Sequence, residues 1–277
     1  MRYVGFSEYY HDAALAIVNE DGTVAFASQS ERYSGKKNDS LIPPHMWTFV
    51  NQDDHVTFYE DWRLRADTIG GPRTFGGDIR HEAAERKTPM HNALTYDDYN
   101  SHHESHCALA FFTRPWESKE DTVMVSVDGS GESESVAIYD HNFNVIKKIL
   151  SPQSLGLLYS VCVVALGYQQ LRDEYIVMGL APYGQVDNKL YSLLKKCYYW
   201  YESNDGKRQR TIVEFEGVSV DGSELMHKFG WYENLIKRRI RILGQEDGAA
   251  TIQKFFEDEV LKIMKIARQY GSKLVYG

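Results

Sequence analysis

Displacing the chain by 121 residues lays its opening strands on a later segment without a gap. Val4 then meets Val125, Ser7 meets Asp128, Ala16 meets Ala137, Ile17 meets Ile138 and Val24 meets Val145. Both segments read strand, polar loop, strand, turn, strand. In the first, the strands are Tyr3–Ser7, Ala14–Val18 and Thr23–Ser28, with Asn19-Glu20-Asp21-Gly22 supplying the turn. In the second, Thr122–Val127 is almost wholly apolar, which predicts a central strand buried on both faces. Two unrelated hairpins of equal length would overlay in the same way. The shared order of elements and loop lengths favours duplication.

After the second hairpin the pattern turns helical, with candidates at Ser154–Tyr168, Glu174–Leu180, Asp187–Trp200 and Ala249–Tyr270. In the last of these Ile252, Phe255, Phe256, Val260, Ile263, Met264 and Ala267 follow helical spacing, and Glu259 is the one polar exception. Lys273–Tyr276 begins a further strand. A mixed sheet built as hairpin, strand and helix, twice over, is the pattern of the actin/sugar-kinase class. There, two RNase H-like halves face each other across a nucleotide cleft. The loops Ser7–Ala13 and Asp128–Glu134 are the ones expected to approach phosphates.

The expected division is a first half at 1–120 and a second at 121–277 that is incomplete at its C-terminus. A loop-rich insertion is expected at about 30–101, broken by Pro43-Pro44, Gly70-Gly71-Pro72 and Gly76-Gly77, with a helix around Glu60–Ala66. The net charge of −8 argues against a broad nucleic-acid-binding surface, but leaves room for a nucleotide pocket, which needs few local charges. Met1–Asp12 lacks the apolar run of a secretory signal, and Leu155–Leu166 is too short to span a bilayer. The three cysteines are odd in number and far apart, which fits a reducing cytoplasm better than a disulfide framework.

The sharpest chemical signal is His102-His103-Glu104-Ser105-His106. Residues four apart share a helix face, so His102 and His106 can bind one metal ion. Two histidines are an incomplete site, and a polar helix start with incidental histidines gives the same string. Asp128 ends a buried strand and offers a third ligand; a carboxylate with two imidazoles suits Fe2+ above all, with Zn or Mn as alternatives. The glycines of Asp128-Gly129-Ser130-Gly131-Glu132 let backbone N–H groups reach an anion, although a plain β-turn needs them equally.

His11 sits in the matching loop of the first half, where it could serve as a general base or merely order the turn with Asp12. Glu31-Arg32 and Lys36-Lys37 could hold a phosphate or remain solvated. Cys107 is either a soft metal ligand or a small core residue. Met178–Gly184 is apolar enough to predict a buried turn, Lys237–Arg241 predicts a solvated helix face, and Tyr198–Tyr201 predicts packing or a partner surface.

With these residues in place the sequence resembles the O-carbamoyltransferase family that includes the antibiotic and nodulation-factor enzymes. The matching segments are Gly5–Val18, Glu31–Asp39, His102–Phe111, Val125–Glu132, Leu155–Tyr168, Val177–Gly184 and Asp247–Leu261. They fall in family order and cover most of the chain. The resemblance implies an actin-like ATPase core that binds a metal and a carbamoyl-adenylate. It matches His102, His106 and Asp128 to metal ligands, and His11 to the histidine near the transfer site. Gly129, Ser130 and Gly131 match the phosphate-side loop, and Lys37 a recurring lysine. Two positions depart from the pattern: Gly35 replaces an arginine, and Ile176 stands where a lysine is expected.

The function implied is ATP- and metal-dependent transfer of a carbamoyl group from carbamoyl phosphate, through carbamoyl-adenylate, to the hydroxyl of a small molecule or nucleoside. On this reading Gly277 precedes the adenine side of the site, so the chain is expected to be inactive alone and to need a second chain. The competing readings are a non-catalytic nucleotide-binding or remnant half-protein, and threonylcarbamoyl transfer to tRNA, against which the acidic charge counts.

Overall fold

The computed structural model describes residues 1–9, 12–61, 99–150, 153–199, 213–215, 218–220 and 229–277. The fold is mixed α/β with two four-stranded sheets and a two-stranded ribbon of β8 (Val213–Phe215) and β9 (Val218–Val220). It divides into two compact units. One holds residues 1–109 with 131–133, and the other holds 110–130 with 134–277.

In the first unit β1 (Arg2–Ser7), β2 (Ala14–Asn19) and β3 (Val24–Gln29) form an antiparallel meander, and β4 (His55–Phe58) adds parallel to β1. Alternation points Val4, Phe6, Leu15 and Ile17 inward, where they meet Ile42, Met46 and Phe58. The loop-rich stretch thus contributes a strand and two core residues that periodicity does not announce. A strand of four residues is too short to establish a period of two. The helix expected around Glu60–Ala66 lies almost wholly outside the described residues.

A short helix α1 (Glu31–Ser34) follows β3 and ends on Gly35, whose φ of 68° is left-handed. An arginine at that position would carry a Cβ penalty that glycine does not, which accounts physically for the departure noted at Gly35.

In the second unit β5 (Thr122–Val127), β6 (Glu134–Tyr139) and β7 (Val145–Leu150) repeat the antiparallel meander, and β10 (Lys273–Tyr276) runs parallel to β5. β5 lies between β10 and β6, as its apolar run predicts. The two sheets share their register as well as their order. Val4 pairs with Ile17 and Val125 with Ile138; Phe6 pairs with Leu15 and Val127 with Val136. Even the irregularity between Ile17 and Val18 recurs between Ile138 and Tyr139. A bulge adds a residue to one strand and shifts every later pair, so its recurrence at the same offset constrains the register more tightly than residue similarity does.

The helices of this second unit include α3 (Leu155–Ala165), α5 (Asn188–Tyr199), α6 (Phe229–Leu243) and α7 (Gln245–Ala267). Val123, Val125, Val136 and Ile138 of the sheet meet Leu155, Leu158, Cys162 and Val163 of α3 in one core with Ile252, Phe255 and Ile263 of α7. Each such side chain contributes about 1.5–3 kcal/mol on burial. Tyr198 packs edge-on against Phe255 at 6.1 Å, so this tyrosine of the aromatic run is a core contact. Glu259, the polar exception on α7, is buried and paired with Lys262 at 2.5 Å.

Two expectations are corrected here. Met178–Gly184 is not a buried turn. α4 (Glu174–Leu180) and the single 3-10 turn after it leave Met178 56% and Tyr183 80% exposed. Val177, just before it, enters the core, and Leu180 packs against that core half-buried. Nor is the basic run simply solvated, because Arg239 makes a two-pronged contact with Asp187, at 3.0 and 2.6 Å. Asp187 also accepts the Leu190 N–H at 2.7 Å, capping the start of α5.

The hydrogen bond from Arg239 holds the Asp187 carboxyl below its ordinary value. A depressed carboxylate contributes stability that is complete above the unfolded value of about 3.9 and is lost as pH falls through the folded one. Asp187→Asn keeps the cap but removes the charge. It is expected to lower the melting temperature at neutral pH, with the gap closing as pH drops below the ordinary carboxylate range. A gap that stays constant across that titration would contradict the assignment.

Candidate metal centre

Helix α2 (His102–Phe112) begins directly after Ser101. Glu104 Oε2 accepts the Ser101 hydroxyl at 2.8 Å and the Ser101 N–H at 3.3 Å, the side-chain-to-backbone half of a capping box. The four-residue spacing then brings His102 and His106 together on one face. Their ring centroids are 4.8 Å apart, and a nitrogen of each ring lies within 4.8 Å of one on the other. His102 is buried and His106 exposed.

Two buried carboxylates attend His102. Glu60 Oε2 lies 3.5 Å from His102 Nδ1. Glu132 Oε1 accepts two backbone N–H groups, those of His102 at 2.7 Å and Asp61 at 2.8 Å. The Ser105 hydroxyl donates to the Tyr59 carbonyl at 2.9 Å. A pair of imidazoles on one helix face, with a carboxylate behind the buried ring, is a donor set that fits a divalent first-row metal. Cys107 points elsewhere: it is fully buried, and burial pushes its thiol up to about 12, so it is a core residue.

In the second unit Asp128 follows β5, and its Oδ1 accepts the Gly129 N–H at 2.5 Å. Ser154, the N-cap of α3, donates to the Gly129 carbonyl at 2.7 Å and accepts from Leu157 N–H. This seats the Gly129 loop on the first turn of α3 at van der Waals contact. A Cβ at Gly156 would stand 2.7 Å from Gly129 Cα and 2.8 Å from its nitrogen, so glycine at 156 permits the approach.

His11 lies outside the described residues. The residues bracketing it are held firmly. Tyr9 N–H donates to Ser40 O at 2.7 Å, Ala13 N–H to Asp39 O at 2.8 Å, and Ile42 N–H to Glu8 Oε1 at 2.7 Å. Tyr9 and Asp12 both adopt left-handed φ, 74° and 56°, an arrangement costing about 1–3 kcal/mol per residue that a packed loop must sustain. Lys37 is exposed, as are Arg32, which lies 3.7 Å from Glu31, and Lys36, which lies 3.7 Å from Asp39.

Sequence reasoning singled out the two histidines but neither Glu60 nor Glu132 as a partner. The one available signal was position: Glu132 closes the Asp128–Glu132 string, and Glu60 stands just past the end of β4.

Comparison with known proteins gives the class. Residues 79–274 match the family model described as Carbamoyltransferase N-terminus, so the chain belongs to that family. The uncharacterized protein sll1178 of Synechocystis sp. is 31% identical over 216 residues, covering 66% of this chain and 34% of that protein. The nodulation protein NolNO of Sinorhizobium fredii is 38% identical over 87 residues, 30% of this chain and 12% of its own length. The chain therefore matches about a third or less of these relatives' length. Superposition on the solved Aquifex aeolicus PPX-GPPA enzyme covers 100% of this chain and 95% of that one at 11% identity, with a TM-score of 0.34, too low to assign a fold. Among the described residues no helix is long and apolar enough to cross a membrane.

Proposed function

We propose that this chain is the metal- and nucleotide-binding part of a carbamoyltransferase that delivers a carbamoyl group to a hydroxyl acceptor. The observation that carries this reading is the placement of His102 and His106 within a chain of the carbamoyltransferase family. The repeated registers support a duplicated actin-like ATPase core.

The donor is carbamoyl phosphate. Hydrolysis yields carbamate and phosphate, and carbamate attacks the α-phosphorus of ATP to give carbamoyl-adenylate and pyrophosphate. The acceptor oxygen then bonds to the carbamoyl carbon as the bond to the adenylate oxygen breaks, and AMP leaves. His11 takes the acceptor's proton. His102, His106 and Asp128 would hold a divalent metal, Fe2+ ahead of Zn2+ or Mn2+, which would supply Lewis-acid polarisation of the carbamoyl group. Backbone N–H groups at Gly129–Gly131 and the Lys37 ammonium take the phosphate side.

The test is mass spectrometry of sugar, antibiotic and nucleoside acceptors incubated with this chain and a co-expressed second chain, ATP, carbamoyl phosphate and each metal, with and without a chelator. A carbamoylated acceptor formed in step with AMP, and lost on chelation, is expected. ADP formed with no carbamoylated acceptor would overturn the reading.

A further inference from the structure

We propose that Glu60 is a positioning residue that fixes the tautomer and direction of the His102 ring, so that Nε2 is the nitrogen offered to a metal. This rests on the metal reading above and adds a residue that none of the motifs contains.

The argument begins with how firmly Glu60 is held. Residues 59–61 continue past the end of β4 and are tied to the first turn of α2 at three successive points. The Tyr59 carbonyl accepts the Ser105 hydroxyl, the Glu60 carboxylate faces His102 Nδ1, and Asp61 N–H shares Glu132 Oε1 with His102 N–H. The Tyr59 ring packs on His102 with centroids 5.8 Å apart. Ring and carboxylate are thus fixed to one frame, and both are buried, Glu60 at 4% and His102 at 7% exposure.

The chemistry follows from the inventory of a neutral imidazole, which has one N–H and one lone pair. A carboxylate accepts hydrogen bonds and cannot donate one, so the nitrogen facing Glu60 is the one that keeps the proton. The lone pair is left on Nε2. An anion behind the ring also raises its basicity as a ligand, and removing such a partner costs metal affinity about 10- to 100-fold.

Two measurements test this. In metal-free protein labelled with nitrogen-15, long-range proton–nitrogen correlation spectra report the tautomer of His102 directly. Nδ1–H is expected, and Nε2–H would overturn the proposal. In the second, Co2+ is titrated against the unmutated chain and Glu60→Gln, with folding checked by circular dichroism. The expected result is a 10- to 100-fold weaker Co2+ affinity with an unchanged visible spectrum, since the directly bound atoms are the same. Unchanged affinity would overturn the positioning role. So would a changed spectrum, which would make Glu60 a ligand. Should Glu60→Gln not fold, the tautomer measurement still decides. Failure of the unmutated chain to bind Co2+ would instead remove the metal reading beneath it.

Discussion

Replacing His106 by alanine is expected to strip a divalent metal from the protein while leaving the melting temperature of the metal-free form where it was. Structural zinc sites with four ligands bind with about 10–16 kcal/mol, so one ligand accounts for about 3 kcal/mol. Its loss corresponds to on the order of a hundredfold in Kd. The side chain itself is exposed. Truncating an exposed residue away from a core or a cap changes stability by no more than about 0.5 kcal/mol. His102 would be the poorer choice, because its burial and its contacts with Glu60 mix a folding loss into any metal loss. Metal analysis of the two purified proteins, with thermal melts after chelation, separates the effects. Equal metal content would sink the ligand assignment, and a large drop in the chelated melt would show that His106 has a structural role.

The second large effect is expected at Gly184. A Cβ there would stand 2.0 Å from the Glu246 carbonyl oxygen, 2.2 Å from its carbon and 2.6 Å from Asp247 N. These are backbone atoms of the first turn of α7, the helix that brings Ile252, Phe255 and Ile263 to the core. No rotamer change can relieve the clash. The chain just beyond is also tied to α7, through Gln185 N–H to Asp247 at 2.8 Å and Asp187 N–H to Thr251 at 2.9 Å. Gly184→Ala must therefore displace either the helix or this attachment, at a cost of about 3 kcal/mol or more. For a protein of this size that lowers the melting temperature by on the order of 10 °C. Gly179, in the same Met178–Gly184 segment, is the internal control. A Cβ there meets nothing within 4 Å, and helical alanine is favoured over glycine by about 1 kcal/mol. Gly179→Ala is expected to be neutral or stabilising. Equal melting temperatures for Gly184→Ala and the parent would refute the close-approach account.

What the sequence could reveal tracked how local the information was. Strand alternation is written every second residue, so β1–β3 and β5–β7 and their common offset are legible, and the i,i+4 histidine pair needs only helix geometry. β4 escaped notice because four residues in a polar setting carry no readable period. Arg239 was misread since its partner, Asp187, is 52 residues away on another element. Met178–Gly184 was misread for a different cause. Its apolar composition and small residues reflect the close passage of Gly184 over α7, with Met178 and Tyr183 turned outward. Glu60 and Glu132 were missed as partners of His102 because both contacts are long-range, the second spanning 30 residues. Burial of a carboxylate beside a ligand is a tertiary fact with no local signature.

The double acceptance by Glu132 also has a consequence for how this chain can vary. Its Oε1 joins Asp61 N to His102 N, and just outside that join Asn100 N–H donates to the Phe58 carbonyl at 2.9 Å while Phe58 bridges Tyr99. The chain thus departs and returns through one closed neck, and the position of His102 is set at the neck. The start of the histidine helix is therefore fixed by its distance along the chain from this join. A single residue inserted between Tyr99 and His102 would rotate the helix start away from both carboxylates.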